Sequence, residues 1–318
     1  MALLEVENLN IGYRTRKGYL QAVAGVSFSL EEGKSLGFVG ESGCGKTTIG
    51  MALMGLLPPN GMVTKGRILF EGQDLLTLSD SEMRSIRWKR IAMIFQAAMN
   101  AMNPVHRVED QVAEAILAHD PDLGKSDAKK QVEGLFQLVG IPEARMRDYP
   151  HQYSGGMKQR AIIAMALACH PKLIIADEPT TALDVIVQDQ ILKETRKLQR
   201  EFGISMIFIS HDISIVADVC HDIGIMYAGQ LVEYGSREEV FQSPCHPYTR
   251  ALISSYPTLT GKKSRLTPIS GETPNLINPP SGCRFCDRCP GAKTSCKTDP
   301  PAWEEVGPRH RALCQDFR

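Results

Sequence analysis

The chain has 318 residues, of which 43% are hydrophobic, so it is long and apolar enough for one large domain with an appendage or for two domains. Its 36 basic and 36 acidic side chains balance, which leaves no basic surplus for a polyanion and argues against a nucleic-acid partner. No apolar run approaches the ~18 residues of a membrane-spanning helix, and the N-terminus lacks a secretory signal. We therefore expect a cytoplasmic protein that reaches a membrane only through its partners.

Alternating apolar residues predict strands over residues 3–30, with a turn between them. A tyrosine that precedes a phosphate-binding loop is a candidate to stack on adenine. Tyr13 occupies that position, and Tyr19 is the alternate. Simple packing of a tyrosine at a strand end is the other interpretation for both residues.

Residues 40–47 fit the phosphate-loop pattern G-x-x-x-x-G-K-[ST]. A buried strand predicted at 36–39 and a helix predicted from Thr48 to Leu57, before two prolines, supply the context of that motif and disfavour a plain glycine-rich turn. Glycines let the backbone wrap around phosphate, and the helix start adds its positive dipole end. Lys46 would reach the β- and γ-phosphates, and the Thr47 hydroxyl would bind Mg²⁺. The nucleotide-binding residues predicted here are Gly40, Ser42, Gly43, Cys44, Gly45, Lys46, Thr47 and Thr48.

The chain after the phosphate loop is predicted to alternate strand and helix. A strand is expected at 66–72, a helix with a capping box at 79–88, and a short strand at 91–95 that ends at Gln96. Apolar residues at helical spacing predict a small helical insert over residues 107–150.

Ser154 is a natural helix N-cap, and the helix that it opens is predicted to run to about Ala168. The N–H groups and the dipole at such a helix start suit a phosphate. A plain helix cap explains the residue equally well, so the anion-binding interpretation depends on the rest of the chain.

An acidic pair, Asp177 and Glu178, follows the apolar strand predicted at 173–176. Downstream of a phosphate loop this is the Walker B arrangement, whereas in isolation it could be a turn that exposes two charges. Asp177 would hold Mg²⁺, directly or through water, and Glu178 would polarise the water that attacks the γ-phosphate. A helix is expected after Asp184, and a further apolar strand precedes His211, which in isolation is an ordinary loop residue.

The composition shifts at about residue 236, after a last pair of predicted strands. Helices are expected to start at Ser236 and near His246. Beyond Pro257 the chain is rich in Pro, Gly, Ser and Cys and is expected to build little core of its own, so metal ligation would order it. Five cysteines crowd this tail, which in a reducing cytosol suggests metal more than disulfides. They are Cys283, Cys286, Cys289, Cys296 and Cys314.

The motifs stand in one order along the chain, namely residues 40–47, Gln96, residues 154–158, Asp177–Glu178, residues 181–184 and His211. This order resembles the ATP-binding subunit of ABC transporters over residues 1–235. The resemblance implies an α/β P-loop ABC-ATPase cassette, with a RecA-like core, an antiparallel β edge and a helical subdomain at about 97–165. A small cysteine-rich C-terminal extension would occupy residues 236–318.

The dipeptide and oligopeptide importer branch of that family is similar over further stretches, namely residues 95–104, 153–160 and 246–252, and in the cysteine-rich tail. With these stretches the resemblance spans nearly the whole chain. Met157 occupies a signature position that is often Gln in other branches and that the peptide branch tolerates, so we do not interpret it as the sign of a dead site.

The resemblance implies that two such subunits face each other head to tail with ATP between them. One subunit would supply the phosphate loop and the catalytic residues Lys46, Gln96, Glu178 and His211. The other would supply Ser154, Gly155 and Gly156 against the γ-phosphate.

The resemblance also implies roles around the nucleotide. The Mg²⁺ ligands would be Thr47, Gln96 and Asp177, and His211 would hydrogen-bond the γ-phosphate. Asp184 would communicate across the dimer, while Gln96 and the loop after it would couple the state of the nucleotide to the permease.

The function implied is ATP hydrolysis that powers solute import, with di- or oligopeptides as the usual cargo and sugars or metal chelates as alternatives. The partners would be a second, non-identical ATPase subunit, two transmembrane permease subunits and an extracytoplasmic solute-binding protein, with this chain on the cytoplasmic face of the cell membrane. A soluble ABC ATPase of translation or DNA repair is the alternative, which the single cassette and the absence of heptads disfavour. An iron–sulfur sensor with a vestigial cassette is a third interpretation, which the intact Lys46, Glu178 and His211 disfavour.

The cysteine positions allow more than one metal. By the resemblance, Cys283, Cys289, Cys296 and Cys314 match the positions that hold a 4Fe–4S cluster in some members of the branch. Cys286 is an addition to that pattern and a possible substitute ligand. Because thiolates bind iron–sulfur and zinc alike, a cluster, a zinc ion and disulfides all stay open.

Overall fold

The computed structural model describes residues 2–96, 102–181, 183–255 and 269–314. Parts of three sequence-based predictions lie outside them: the loop after Gln96, Ala182 of the 181–184 motif, and the chain just beyond Pro257. The chain divides into two compact units, the first made of Met1–Glu31, Ser35–Leu76 and Phe208–Arg318 and the second of Glu32–Lys34 and Thr77–Ile207. Among the described residues, none of the helices combines the length and apolar character needed to cross a membrane.

The N-terminal part of the first unit forms an antiparallel sheet and carries the strand and helix on either side of the phosphate loop. Its elements are β1 (Ala2–Thr15), β2 (Gly18–Glu31), β3 (Ser35–Val39), α1 (Lys46–Leu53), β4 (Gly61–Phe70) and β5 (Gln73–Asp74). The sheet has the strand order β2-β1-β4-β5. Leu4, Val6 and Leu9 of β1 are buried, as the alternation of apolar residues predicts.

Helix α1 begins two residues earlier and ends four residues earlier than the predicted range of 48–57. Gly55 takes a left-handed conformation with φ 60°, and its N–H donates to the Ala52 carbonyl while that of Leu56 donates to the Met51 carbonyl. This pair of bonds is the Schellman motif that closes a helix. The helix therefore stops at a glycine, before the two prolines that were expected to stop it.

The second unit contains five of the ten described α-helices and two parallel strands. Its elements are α2 (Asp80–Ile86), β6 (Ile91–Ile94), α3 (Val108–His119), α4 (Lys125–Leu138), α5 (Gly155–Leu167), β7 (Leu173–Asp177) and α6 (Val185–Phe202). Strand β8 (Ser205–Ser210) continues from this unit into the first. Helices α3 and α4 pack on each other and on α5, which confirms a helical insert over 107–150. The capping box at Ser79 is also confirmed.

The C-terminal part of the first unit completes its second sheet. It comprises α7 (Ile213–Val219), β9 (Asp222–Tyr227), β10 (Gln230–Ser236), α8 (Arg237–Gln242), α9 (Pro247–Ser254), α10 (Ser295–Thr298), β11 (Glu304–Glu305) and β12 (Arg311–Ala312). Strand β3 pairs parallel with β9, and β10 pairs antiparallel with both β9 and β12. The helices predicted at Ser236 and near His246 are confirmed as α8 and α9.

The tail is better packed than its composition predicts. Phe285 is 2% exposed and contacts the rings of Tyr227, Tyr248 and His246 within the first unit. Strand β12 adds to the sheet beside β10. The expectation of little core considered only the apolar residues that the tail itself contributes, whereas the tail buries them against residues from other parts of the chain.

Candidate functional site

The phosphate loop lies in the first unit between β3 and α1, and two glycines let it pass close to neighbouring backbone. A Cβ on Gly40 would overlap the Met226 carbonyl oxygen of β9, and one on Gly45 would overlap the Ala22 carbonyl oxygen of β2. Gly45 is the N-cap of α1 with φ 101°, a conformation that disfavours every residue with a side chain. Among the residues that the structure describes, no side chain caps α1. Its first N–H groups, which have no acceptor within the helix, are therefore suited to an anion.

Lys46 is folded inward within this loop. Its side chain is buried, and Nζ donates to the carbonyl oxygens of Gly40 at 2.6 Å and Glu41 at 3.0 Å. Nζ also lies 3.4 Å from Cys44 Sγ. Burial raises the pKa of the Cys44 thiol although Lys46 opposes the rise, so Cys44 stays protonated at neutral pH. The ammonium group is thus held inside the loop, where a bound phosphate would need a counter-charge.

The exposed positions of the loop are those predicted to face a ligand. Ser42, Gly43 and Thr47 are exposed, and Thr48 is the third residue of α1. The eight nucleotide-binding residues predicted from the sequence are therefore brought together in one loop and helix start.

Tyr13 lies beside this helix start, whereas Tyr19 does not contact it in the described hydrogen bonds. The Tyr13 hydroxyl and the Thr48 hydroxyl are 3.1 Å apart, which joins β1 to α1. Tyr19 is 42% exposed, and its ring covers Gly12. This geometry favours Tyr13 as the residue nearer to a nucleotide bound on the loop.

The second unit brings Gln96 and Glu178 together. Strands β6 and β7 are parallel with Ile94 opposite Ala176, so the residues two positions further along each strand emerge at the same edge. Gln96 Nε2 donates to Glu178 Oε2 at 3.0 Å, and Thr181 Oγ1 donates to the same oxygen at 3.0 Å. One oxygen of the Glu178 carboxylate is thereby held by two donors.

The backbone at Glu178 is unusual for a residue with a side chain. Its φ is 47°, in the left-handed region, which is of order 1–3 kcal/mol less favourable than ordinary conformations. Asp177, the last residue of β7, is 1% exposed. The strand thus ends with one buried acidic residue, and a less buried one follows it in a left-handed backbone conformation.

The starts of α5 and α6 lie side by side in the second unit. Ser154 caps α5 by accepting from the Met157 N–H at 3.3 Å, and Asp184 caps α6 by accepting from the Val187 N–H at 2.9 Å. A Cβ on Gly156 would lie 2.8 Å from Val187 Cγ1, so glycine permits this approach. Ser154 and Gly155 are exposed, which leaves the start of α5 open at the protein surface.

His211 lies in the first unit with the phosphate loop, directly after β8. Its side chain is exposed, and Asp212 after it caps α7 by accepting from the Ser214 N–H at 2.8 Å. Of the predicted site residues, the phosphate loop, Tyr13 and His211 belong to the first unit. Gln96, Asp177, Glu178, Asp184 and the start of α5 belong to the second.

The cysteines of the tail lie close to one another. Cys283, Cys296 and Cys314 line one cavity of about 30 Å³. Burial raises the pKa of Cys283 to about 11, and the neighbouring thiols of Cys314, Cys296 and Cys289 add to the rise. No disulfide joins the five cysteines of the tail, all of which lie within the described residues.

Glu233 is a buried charged residue that the sequence patterns do not reveal. It is 0% exposed in β10, where it accepts from the N–H groups of Cys245 and His246 at 2.8 Å each. His310 Nε2 lies 2.7 Å from its Oε1. The only available signal is a glutamate inside an apolar strand, and its partners lie 12, 13 and 77 residues away. Because these contacts occupy both oxygens, the group joins the tail to β10.

Comparison with known families finds two matches. The family described as "ABC transporter" matches residues 23–181, and the one described as "Oligopeptide/dipeptide transporter, C-terminal region" matches residues 232–296. The second match covers part of the cysteine-rich tail, including four of its five cysteines.

Curated relatives are similar over nearly the full length. The chain is 48% identical to a dipeptide transport ATP-binding protein of Bacillus subtilis (strain 168), covering 99% of this chain and 96% of the relative. It is 48% identical to the oligopeptide transport ATP-binding protein of the same organism, covering 95% and 86%. It is 44% identical to the oligopeptide transport ATP-binding protein of Escherichia coli (strain K12), covering 98% and 92%.

Solved structures share the fold of most of the chain. One is a dimeric ATP-binding cassette in a post-hydrolysis state with ADP and Pi, 26% identical with a TM-score of 0.66, covering 74% of this chain and 98% of that one. Another is cbiO1 of Clostridium perfringens, part of an ABC transporter complex, 30% identical with a TM-score of 0.66, covering 76% and 91%.

Proposed function

We propose, since this chain belongs to the ATP-binding proteins of dipeptide and oligopeptide ABC transporters, that it hydrolyses ATP to drive peptide import through a membrane permease. The observation that carries the catalytic part is the Glu178 carboxylate, held by Gln96 and Thr181 at the end of β7. The peptide cargo follows from the relatives, whose names specify dipeptide or oligopeptide transport.

ATP binds through its phosphates to the loop of residues 40–47. Lys46 supplies the positive charge, and the open N–H groups at the start of α1 supply hydrogen bonds. Tyr13 stacks on the adenine, because its hydroxyl already contacts Thr48 beside the loop. By similarity to the family, Thr47, Gln96 and Asp177 would hold Mg²⁺, which would offset the charge of the β- and γ-phosphates.

Glu178 acts as the general base that polarises the attacking water. Gln96 and Thr181 fix the position of this carboxylate, which accepts the proton of the water. His211 hydrogen-bonds the γ-phosphate and helps to place the water. Since Gln96 contacts the base and directly precedes the predicted coupling loop in the sequence, it is suited to report the state of the nucleotide.

A second ATPase subunit, identical or non-identical, completes the nucleotide site. The exposed start of α5 offers N–H groups of Ser154, Gly155 and Gly156 to the γ-phosphate of the partner subunit. Beside it, Val185 and Ile186 at the start of α6 are both 81% exposed. Exposed apolar side chains next to an open anion site support an interface between subunits at this place, with Asp184 within it.

The permease docks on an apolar groove of the second unit. This groove has a volume of about 380 Å³ and adjoins Gln96 through Phe95, which is 41% exposed. Trp88, Met93 and Met165 are among the side chains that line it. The permease has two subunits, and a helix from one of them fits such a groove. An extracytoplasmic binding protein would deliver the cargo to the permease. The chain is thus associated with the cytoplasmic face of the membrane. We also propose that residues 1–235 form its nucleotide-binding domain and residues 236–318 its C-terminal extension.

We propose that Cys283, Cys289, Cys296 and Cys314 would hold a 4Fe–4S cluster. Each of Cys283 and Cys289 has a pKa that is raised by burial and further by Cys296 and Cys314. A zinc ion with four thiolates needs sulfur atoms about 3.8 Å apart. Among the described residues, however, the one group of three or more metal-binding atoms within 4.8 Å of one another is Glu233, Cys245 and His310, which includes no cysteine of this set. Four cysteine thiolates are also the usual ligand set of a 4Fe–4S cluster.

The metal content of the chain tests this assignment. Such a cluster would fix four distant points of the tail and would allow one-electron chemistry. We expect about four irons with matching acid-labile sulfide in protein purified without oxygen. One zinc ion without iron would contradict the cluster and leave the ATPase assignment intact.

The variant Glu178→Gln tests the proposed hydrolysis. We expect hydrolysis to fall by about a thousandfold, since general bases contribute on the order of 10²–10⁴ in rate. ATP should still bind and should hold two subunits together, which size-exclusion chromatography with ATP measures. Glu201→Gln, an exposed residue of α6, is the matched control. Unchanged hydrolysis in Glu178→Gln would contradict the role of the base.

A further inference from the structure

The cysteine-rich tail contacts the phosphate loop directly, through Arg288. This residue lies between Cys286 and Cys289 in a short helical turn, and its side chain is 6% exposed. Its Nη1 donates to Glu41 Oε2 at 2.9 Å and to the Tyr227 hydroxyl at 3.2 Å. Glu41 is the second residue of the phosphate loop, so a charge of the tail reaches the loop from a position 247 residues further along the chain.

Glu41 is held at its backbone as well as at its side chain. Its N–H donates to the Tyr248 hydroxyl at 3.1 Å. Its carbonyl oxygen accepts from Lys46 Nζ at 3.0 Å and from the Cys44 N–H at 3.3 Å. A movement of Glu41 would therefore disturb both Lys46 and the backbone that is expected to surround the phosphates.

Arg288 is itself fixed on its other side. Nε donates to the Ser270 carbonyl at 2.9 Å and Nη2 to the Ile269 carbonyl at 3.2 Å. Burial alone would lower the pKa of Arg288, but its hydrogen bonds to Glu41 and Tyr227 raise it, so the guanidinium stays charged. The group lies 5.6 Å from the centre of the Tyr227 ring. It is a rigid support for Glu41 because its hydrogen bonds on both sides restrain it.

The Tyr227 ring, which Arg288 contacts, is part of an aromatic cluster. Tyr227 at the end of β9 lies 4.7 Å from Tyr248 and 5.2 Å from Phe285, measured between ring centroids. Phe285 comes from the tail and Tyr248 from α9. Both contacts of Glu41, to Arg288 and to Tyr248, therefore depend on one packed group that includes the tail.

We propose that Arg288 is a positioning residue for the nucleotide: it holds Glu41, and with it the first half of the phosphate loop, in the form that accepts the phosphates of ATP. The inference rests on the proposed nucleotide site and goes beyond it by making the affinity for ATP depend on the folded tail. A loop that is ordered before binding needs no further ordering when the phosphates arrive, and this raises affinity. Loss of Arg288 would leave Glu41 charged and half-buried without this partner.

Isothermal titration of the full-length chain with ATP and with ADP tests the proposal. We expect Arg288→Ala to raise the Kd by about tenfold, as removal of one coupled charge pair does. Arg288→Lys, which keeps the charge, should restore part of the affinity. Glu41→Gln should also weaken binding, and the double variant should bind no worse than Arg288→Ala alone. This pattern distinguishes positioning through Glu41 from a general loss of structure.

Arg309→Ala is the matched control. Arg309 also belongs to the tail and pairs with Asp222 at 2.8 Å, at the opposite end of β9 from Tyr227. It should lower thermal stability without changing the Kd for ATP. If Arg288→Ala behaves in the same way, Arg288 only anchors the tail and the proposal is wrong.

Two further variants keep the outcomes distinct. If Arg288→Ala does not fold, Glu41→Gln tests the proposal in its place, because this variant keeps the backbone contacts of the loop. An unchanged Kd for ATP in Glu41→Gln overturns the proposal. Lys46→Ala tests the nucleotide site itself and should abolish binding. If Lys46→Ala still binds ATP normally, the proposed nucleotide site fails, whatever Arg288 does.

Discussion

The phosphate loop and the cysteine-rich tail are held by different kinds of contact. Within the loop, Lys46 bonds the carbonyl oxygens of residues five and six positions before it. The tail is held by distant partners: Arg284 bonds Gln21, 263 residues away, and His310 contacts Glu233, 77 residues away. The loop can therefore take much of its form from its own sequence, whereas the tail depends on a completed fold. Arg288 with Glu41 is the place where the two regions meet.

A change inside the loop should abolish its function with little effect on the tail. In Gly45→Ala the new Cβ would overlap the Ala22 carbonyl oxygen at φ 101°, so the loop must move. We expect the Kd for ATP to rise by about a hundredfold, as misplacement of about 1 Å can do. Gly43→Ala is the control, because its φ is 78° but no atom of the described residues lies within 4 Å of the added Cβ. Equal losses in both variants would show that backbone strain, and not the close approach, explains the glycine.

A change of one thiol should affect the tail with less effect on the loop. We expect Cys289→Ser to lose most of its iron and Cys286→Ser to retain it, because Cys289, and not Cys286, is one of the four proposed ligands. Iron and sulfide analysis of protein purified without oxygen measures both. Retention in the first variant and loss in the second would make Cys286 the ligand.

The attachment of the tail to β10 can be weakened at Glu233. In Glu233→Gln a fully buried carboxylate that accepts from two N–H groups and contacts His310 becomes a neutral amide. We expect the free energy of unfolding to fall by about 2 kcal/mol, the usual size for charged hydrogen bonds in the interior. Urea titration with His310→Gln and the double variant measures the coupling. Additive losses would mean that the two residues do not act together.

The smallest expected effect is a dependence of stability on pH at His246. Burial lowers the pKa of His246 to about 4 from 6.5, and its Nδ1 accepts from the Tyr248 N–H at 3.1 Å. Between these pH values the unfolded chain binds more protons than the folded chain. The stability that neutral His246 contributes to the folded chain is therefore complete above about pH 6.5 and is lost as the pH falls toward 4.

His246→Asn provides the control for this effect. Asparagine can still cap α9 through its side-chain oxygen but does not titrate. The free energies of unfolding at pH 7.5 and pH 5.5 should therefore differ less for the variant than for the wild type. An equal loss of stability in both proteins would assign the pH dependence to other groups.

The same contrast explains which features the sequence predicts. The phosphate loop, the capping box at Ser79 and the cap at Ser154 are read from a few neighbouring residues, and the structure contains each of them. The prediction for the end of α1 was wrong, because Gly55 stops the helix before the prolines do. Strand β4 starts at Gly61, not 66, because residues 61–65 pair with β1.

Sequence patterns did not predict the contacts between residues that are distant along the chain. Nothing about Glu41, at a variable position of the loop motif, indicates that an arginine between two cysteines binds it. Glu233 is likewise one acidic residue in an apolar strand, and only the folded sheet brings His310 to it. The resemblance implies that Gln96 and Glu178 act at the same nucleotide, but it does not predict the hydrogen bond between them, which depends on the register of β6 and β7.

Uptake of a labelled dipeptide into sealed vesicles tests the central claim most directly. The vesicles would contain this chain with its partner ATPase and permease subunits, with ATP on the side of the ATPases and the binding protein on the other. We predict uptake that requires ATP, is stimulated by the loaded binding protein and is lost with Glu178→Gln. ATP hydrolysis that continues without any response to peptide or permease, or recovery of the chain with ribosomes in place of membranes, would contradict the account.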